Sequence, residues 1–235
     1  MGWAKSALLG AFVVALAAPA AEAGCVWSDI VRDEARAAAV QAGTARAYFL
    51  QDDVLTKGCP NASPACRARA YLVPGNTVLT GPTAGAYTCA GYTSAKGVTT
   101  IGWLPSADLA LLPEAAQSPS DFTGRWIGPE QAVTIEPGDG GALKVKGEAT
   151  WGMGDRCRRE HGSVHTGEIA GTARPEAGEL AFTLGLDDKT LPYAQGEPFD
   201  CRVRMRRRGS YLMVRDNGSC GGANVSFTGL YARKD

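Results

Sequence analysis

The chain has 235 residues, 24 Lys+Arg against 24 Asp+Glu, 45% hydrophobic and 20% charged residues, the composition of an ordinary globular protein. Zero formal net charge argues against non-specific nucleic-acid binding, which needs clustered Lys and Arg to release counterions. The length allows one or two domains, each large enough to bury a core.

Lys5, an apolar run over 7–18, Pro19 and Ala21-Glu22-Ala23 form the n-region, h-region and small-x-small site of a secretory signal peptide, 1–23. The run is shorter than the ~20 residues a membrane span needs, and no later segment is longer or more apolar. The expectation is a periplasmic or secreted chain starting at Gly24, with no membrane span. All seven cysteines follow the cleavage site, where disulfides persist. Cys59 and Cys66 bracket a short turn-rich loop and are expected to pair. Cys25 with Cys89 and Cys201 with Cys220 follow, leaving Cys157, unless Cys157 takes Cys201 or Cys220 instead.

The first domain is expected over 24–112. Residues 29–41 are Ala-rich with mixed charges and suggest a short helix. Strand-like runs cover 46–50, 68–73, 77–80, 86–92 and 98–104, with turns at Pro74-Gly75-Asn76, Gly81-Pro82 and Lys96-Gly97. Five short strands in this space suggest a small barrel. The run 70–79 (AYLVPGNTVL), followed by 102–109 (GWLPSADL), resembles a bacterial SH3-like domain over about 46–112. That resemblance implies a non-catalytic module binding cell-wall or peptide ligands through an aromatic groove. Tyr48, Tyr71, Tyr92 and Trp103 are the groove aromatics it points to, with core packing the competing role for each. The family's usual opening is absent, and Arg46-Ala47-Tyr48-Phe49 and a cysteine-bracketed loop stand in its place.

A Pro/Ser/Ala stretch over 113–120 reads as a linker. The second domain, 121–235, has candidate strands at 122–127, 132–136, 142–150, 164–172, 179–184, 199–207, 211–216 and 225–233. Eight antiparallel strands fit an up-and-down barrel, so the fold class is all-β throughout. In the hairpin of 199–207 and 211–216, a turn at Arg208-Gly209 pairs Met205 with Leu212 and Val203 with Val214, placing both apolar sets on one face. Trp126, Phe182, Phe199 and Phe227 are candidates for the interior. Gly124-Arg125-Trp126 is similar to the opening of lipocalin-like barrels, which implies architecture more than ligand. If the first and last strands pair, Arg233 can stack on Trp126.

The run Arg202 to Arg208, with Arg156, Arg158 and Arg159, is either a basic patch for an acidic partner or a face balanced by the domain's equal number of acids; the second is favoured. Cys157-x3-His161-x3-His165 has ligand-type spacing, but Gly162-Ser163 breaks any helix that would align it, so no metal site is expected. There is no phosphate loop or nucleophile elbow, and no cofactor is expected. The expectation is therefore a non-enzymatic binding protein of the cell envelope, holding a wall polymer or an exported protein partner. Two further readings are an inhibitor of a wall hydrolase or toxin, plugging it with the loop 151–156, and a small-ligand carrier.

Overall fold

The computed structural model describes residues 24–234; the expected signal peptide lies outside them. After a one-turn helix α1 (Trp27–Ile30), the first sheet contains β1 (Arg36–Val40), β2 (Ala47–Leu50), β3 (Arg67–Leu72), β4 (Thr77–Ala84), β5 (Tyr87–Thr93), β6 (Thr99–Pro105) and β7 (Leu109–Leu111). Its seven strands are antiparallel in the order β3-β2-β6-β5-β4-β1-β7. The five expected strands are all present, and β1 and β7 are additional. A short helix α2 (Pro119–Phe122) leads into the second sheet.

That sheet is a nearly closed antiparallel barrel of nine strands. It contains β8 (Gly124–Ile127), β9 (Gln131–Pro137), β10 (Leu143–Trp151), β11 (His165–Ala173), β12 (Glu179–Leu184), β13 (Thr190–Leu191), β14 (Cys201–Arg208), β15 (Tyr211–Asp216) and β16 (Gly229–Lys234), with α3 (Arg156–Glu160) between β10 and β11. The order β11-β10-β9-β8-β16-β15-β14-β12-β13 is a meander in which the first and last strands pair. The seam falls between β11 and β12/β13. The Thr172 backbone N–H donates to Thr190 Oγ1 across it at 3.1 Å. Gly171 lies against Phe182 there; a Cβ at this position would sit 2.6 Å from the ring.

The Ala-rich segment 29–41 is a correction to the sequence reading. Only α1 is helical, and Arg36–Val40 is a strand. Ala37 packs into the cluster between the two sheets, while Ala38 and Val40 face the inside of the first sheet. Small side chains let β1 run between two packed layers, and that tertiary burial overrides alanine's helix propensity.

The hairpin of β14 and β15 pairs two residues away from the expected register. Met205 lies opposite Val214, Val203 opposite Asp216 and Arg208 opposite Tyr211. The loop is Gly209-Ser210, with Gly209 at φ 57°, the glycine-first arrangement favoured in two-residue hairpins. A slip of two keeps every side chain on its face, so Val203, Met205, Leu212 and Val214 all still point into the barrel core. Phe199 does not. It precedes β14 and is 88% exposed.

Trp126, Phe182, Phe227 and Tyr231 fill the barrel interior at 0% exposure. Arg233 does stack on Trp126, its Cζ 4.8 Å from the ring centroid, and Arg207 does the same at 4.7 Å. Both arginines also donate to Asp121 O, at 2.9 and 3.0 Å, closing the end of α2.

The outward-facing side chains of β15 and β16 are buried too. Tyr211, Met213, Leu230 and Ala232 join Ile30, Leu79, Cys89 and Trp103 in one cluster between the sheets. This explains why β15 is apolar on both faces. The three expected disulfides are all present, and Cys157 is free and exposed. Cys25–Cys89 ties the N-terminal segment onto β5 beside that cluster.

Candidate functional site

β2 and β3 carry the exposed aromatic residues. Ala47 and Phe49 point to the inner cluster of the first sheet, as do Ala68, Ala70 and Leu72, so alternation turns Tyr48, Arg67, Arg69 and Tyr71 to the other face. Tyr48 and Tyr71 are direct cross-strand neighbours with ring centroids 5.4 Å apart. The Arg46 guanidinium lies 4.5 Å above the Tyr71 ring, and that of Arg67 lies 4.6 Å above Tyr48. The result is an alternating ladder of two cations and two aromatic rings, with Tyr71 43% and neighbouring Val73 41% exposed.

Local structure fixes both ends of β3. The Cys59–Cys66 disulfide closes the preceding loop, Ser63 Oγ caps the 3-10 turn Pro64–Cys66, and Gln51 N–H donates to Cys66 O at 2.8 Å. Beyond β3, Val73 N–H donates to Asn76 Oδ1 at 3.0 Å and Gly75 takes φ 82°, a conformation that favours glycine.

Electrostatically the ladder is unbalanced. Among the described residues, no carboxylate forms an ion pair with Arg46, Arg67 or Arg69. The Tyr48 hydroxyl accepts a hydrogen bond from Arg46 and, with the charge interaction of the Tyr71 and Tyr48 phenol groups, holds the Arg46 pKa above its usual value.

The β14 arginines behave in the opposite way. Asp33 lies 3.2 Å from Arg204, 3.7 Å from Arg206 and 3.6 Å from Arg215, and Glu179 lies 2.6 Å from Arg206. Arg208 donates to Ala35 O and Asp33 O, and Arg202 to Gly196 O and Glu197 O. Asp33 Oδ1 accepts no hydrogen bond, because its two arginines stand beyond hydrogen-bond distance; its partnership is purely ionic. Arg204, Arg206, Arg208 and Arg215 thus fasten the N-terminal segment to the barrel, while Arg202 holds the loop before β14.

The structure brings together two of the four aromatics expected in a groove. Tyr92 packs against the inner cluster, on the other face from Tyr48 and Tyr71. Trp103 is fully buried in the cluster between the sheets, with an unpartnered indole N–H, so it belongs to the core. Arg46, Arg67 and Arg69 were not singled out from sequence. The signal was there in Arg69-x-Tyr71 on an expected strand, with Arg67 one residue before it continuing the period of two.

Other features are accounted for locally. Cys157 Sγ lies 3.7 Å from His161 Nδ1, whereas His165 is in β11, stacked on Trp151 and bonded to Ala223 O. Among the described residues, no three His, Cys, Asp or Glu side chains are grouped to hold a metal ion. The loop 151–156, the plug of the inhibitor reading, is tied down. The Glu130 carboxylate accepts Gly152 N–H at 3.1 Å and Gly154 N–H at 2.5 Å, and Arg158 stacks on Trp151 at 4.1 Å.

A cleft of about 660 Å³ opens at one mouth of the first sheet, beside Arg36, Thr80, Pro82, Thr88, Ser106 and Leu111. Its buried hydroxyls are already partnered, Thr88 with Ser106 at 2.7 Å and Thr80 with Arg36 O at 2.9 Å. Comparison with known proteins finds no matching family model, no matching curated protein and no matching solved structure.

Proposed function

We propose that the chain is an extracytoplasmic, non-enzymatic binding protein whose first sheet holds an anionic component of the cell envelope. The binding surface is the face built from Arg46, Tyr48, Arg67 and Tyr71, with Arg69 beside it. The observation that carries this reading is the unbalanced ladder: two arginines held over tyrosine rings and a third beside them, none ion-paired among the described residues. Arg supplies charge and a planar fork for carboxylate or phosphate, and Tyr supplies a rigid amphipathic surface beside it. The three disulfides support an oxidising compartment. The barrel supports the ladder indirectly, through the shared cluster that fixes the first sheet upon it.

The test is retention of the mature protein, from Gly24, on purified peptidoglycan sacculi over a salt series. Retention should weaken steeply with salt. It should fall at least tenfold in the Arg46→Gln/Arg67→Gln double variant and in Tyr71→Ala, with the thermal midpoint nearly unchanged. Unaltered retention in both variants removes the ladder from the binding surface.

A further inference from the structure

β3 ends the sheet order, so one side of its backbone has no neighbouring strand. It is six residues long, about 20 Å of open edge at ~3.3 Å per residue. An open edge invites any passing strand, and natural proteins commonly blunt it with charged side chains. Here the charges are all of one sign. Arg67 and Arg69 repel a basic strand and leave an apolar one facing two desolvated guanidinium groups, so the edge discriminates among partners.

We propose that the ladder face takes its partner by strand addition: an acidic, extended segment of another exported polypeptide pairs with the outer edge of β3. This rests on the reading above that the Arg/Tyr face is the recognition surface. An added strand sets every second side chain about 5 Å from Arg67, Arg69 and Tyr71. Acids opposite the two arginines complete the ion pairs that no described residue supplies. The intervening side chains fall on the other face beside Ala68 and Ala70, which are only half-buried and present methyl groups. The sequence selected is therefore an alternation of acid and apolar residue over about six positions. Backbone hydrogen bonds supply affinity and the alternate pockets supply specificity, as in other strand-addition complexes. A glycan strand could use the arginines but not the row of edge amides, which is why a polypeptide is the better match.

The experiment uses the oxidised mature chain and three capped, fluorescent hexapeptides. One alternates Glu with Val. A second alternates Lys with Val. The third is the Glu/Val peptide with every second amide N-methylated, which keeps charge but removes the edge hydrogen bonds. Expected are salt-dependent binding of the first peptide alone, at least a tenfold loss in Arg67→Gln/Arg69→Gln, and slowed amide exchange confined to residues 67–72. Arg69 stacks on no ring, so Arg69→Gln alone provides a variant with minimal risk to folding and should weaken binding in the same direction. Equal binding of the N-methylated peptide would overturn strand addition while leaving charge recognition by the ladder intact. No binding of Glu/Val, with ladder-dependent retention on sacculi preserved, would also overturn it and identify a wall polymer as the occupant. Loss of both would bring down the recognition surface itself.

Discussion

Replacing Asp33 by Asn tests whether the β14 arginines are a structural joint or a free basic face. Asn keeps the shape and one acceptor oxygen, so the substitution removes chiefly the charge. Three guanidinium groups lie within 3.7 Å of that carboxylate, whose side chain is 39% exposed. Pairs this accessible contribute roughly 0.2–1 kcal/mol each after solvent screening. With three partners, and the arginines left to repel one another, the expected destabilisation is about 1–2 kcal/mol. At a urea dependence of about 2 kcal/mol per molar, the midpoint should fall by roughly 0.5–1 M. The measurement is urea denaturation at low salt and at 1 M NaCl, where the Debye length shrinks to about 3 Å and the deficit should contract by roughly half. Equal deficits at both salts, or none at low salt, would refute the ionic account. The same variant bears on function. If Arg204, Arg206 and Arg215 formed the ligand surface, freeing them from Asp33 would strengthen retention on an anionic polymer. No gain is expected.

Two further outcomes follow from buried groups. Burial pushes the Tyr211 hydroxyl, which donates to Thr77 O at 2.6 Å, up to about 12, and burial raises Tyr231 as well. The unfolded chain ionises these phenols near ~10 and the folded chain does not, so stability is full below that pH. It then falls toward pH 12 by up to about 1.4 kcal/mol per unit for Tyr211. Denaturation across pH 9–11.5 in a Cys157→Ala background, which blocks thiolate exchange, should show this limb, and Tyr211→Phe should lower its slope while leaving the part due to Tyr231; a flat wild-type profile contradicts the assignment. At the seam, Gly171→Ala forces a methyl against the Phe182 ring and should cost about 1–3 kcal/mol by overpacking, measured by thermal unfolding. An unchanged midpoint would mean the seam is not closed by that contact.

The parts of the fold that were legible in sequence are those set by short-range chemistry or strict alternation. Cys59 and Cys66 were paired by the loop between them, and the pairing of β8 with β16 is the condition under which Arg233 was expected to meet Trp126. Alternation alone assigned Val203 and Met205 to the core. What failed depended on information that no local pattern carries. The β14–β15 register turned on which of two adjacent residues, Arg208 or Gly209, begins the turn, and both choices satisfy the same alternation. β1 is an alanine-rich strand because two layers happen to sandwich it, and β13 is only two residues long. Trp103 and Tyr92 read as groove aromatics because type and position agree with that role, yet their faces are decided by what packs on them.

The arginines show the same contrast in terms of availability. The run from Arg202 to Arg208 dominates the sequence, and a run of strand residues one side chain apart on the same face looks like a patch built for a partner. A strand face with that much like charge is stable only if something neutralises it, and the chain's own Asp33, Glu179 and backbone carbonyls do so. Arg46, Arg67 and Arg69 are sparse enough to fold without such compensation, because aromatic faces can hold guanidinium groups without cancelling their charge. Charge that folding does not need to neutralise is the charge left for a partner. By that criterion the recognition proposed for this chain is assigned to the thin ladder on β2 and β3, and not to the dense row on β14.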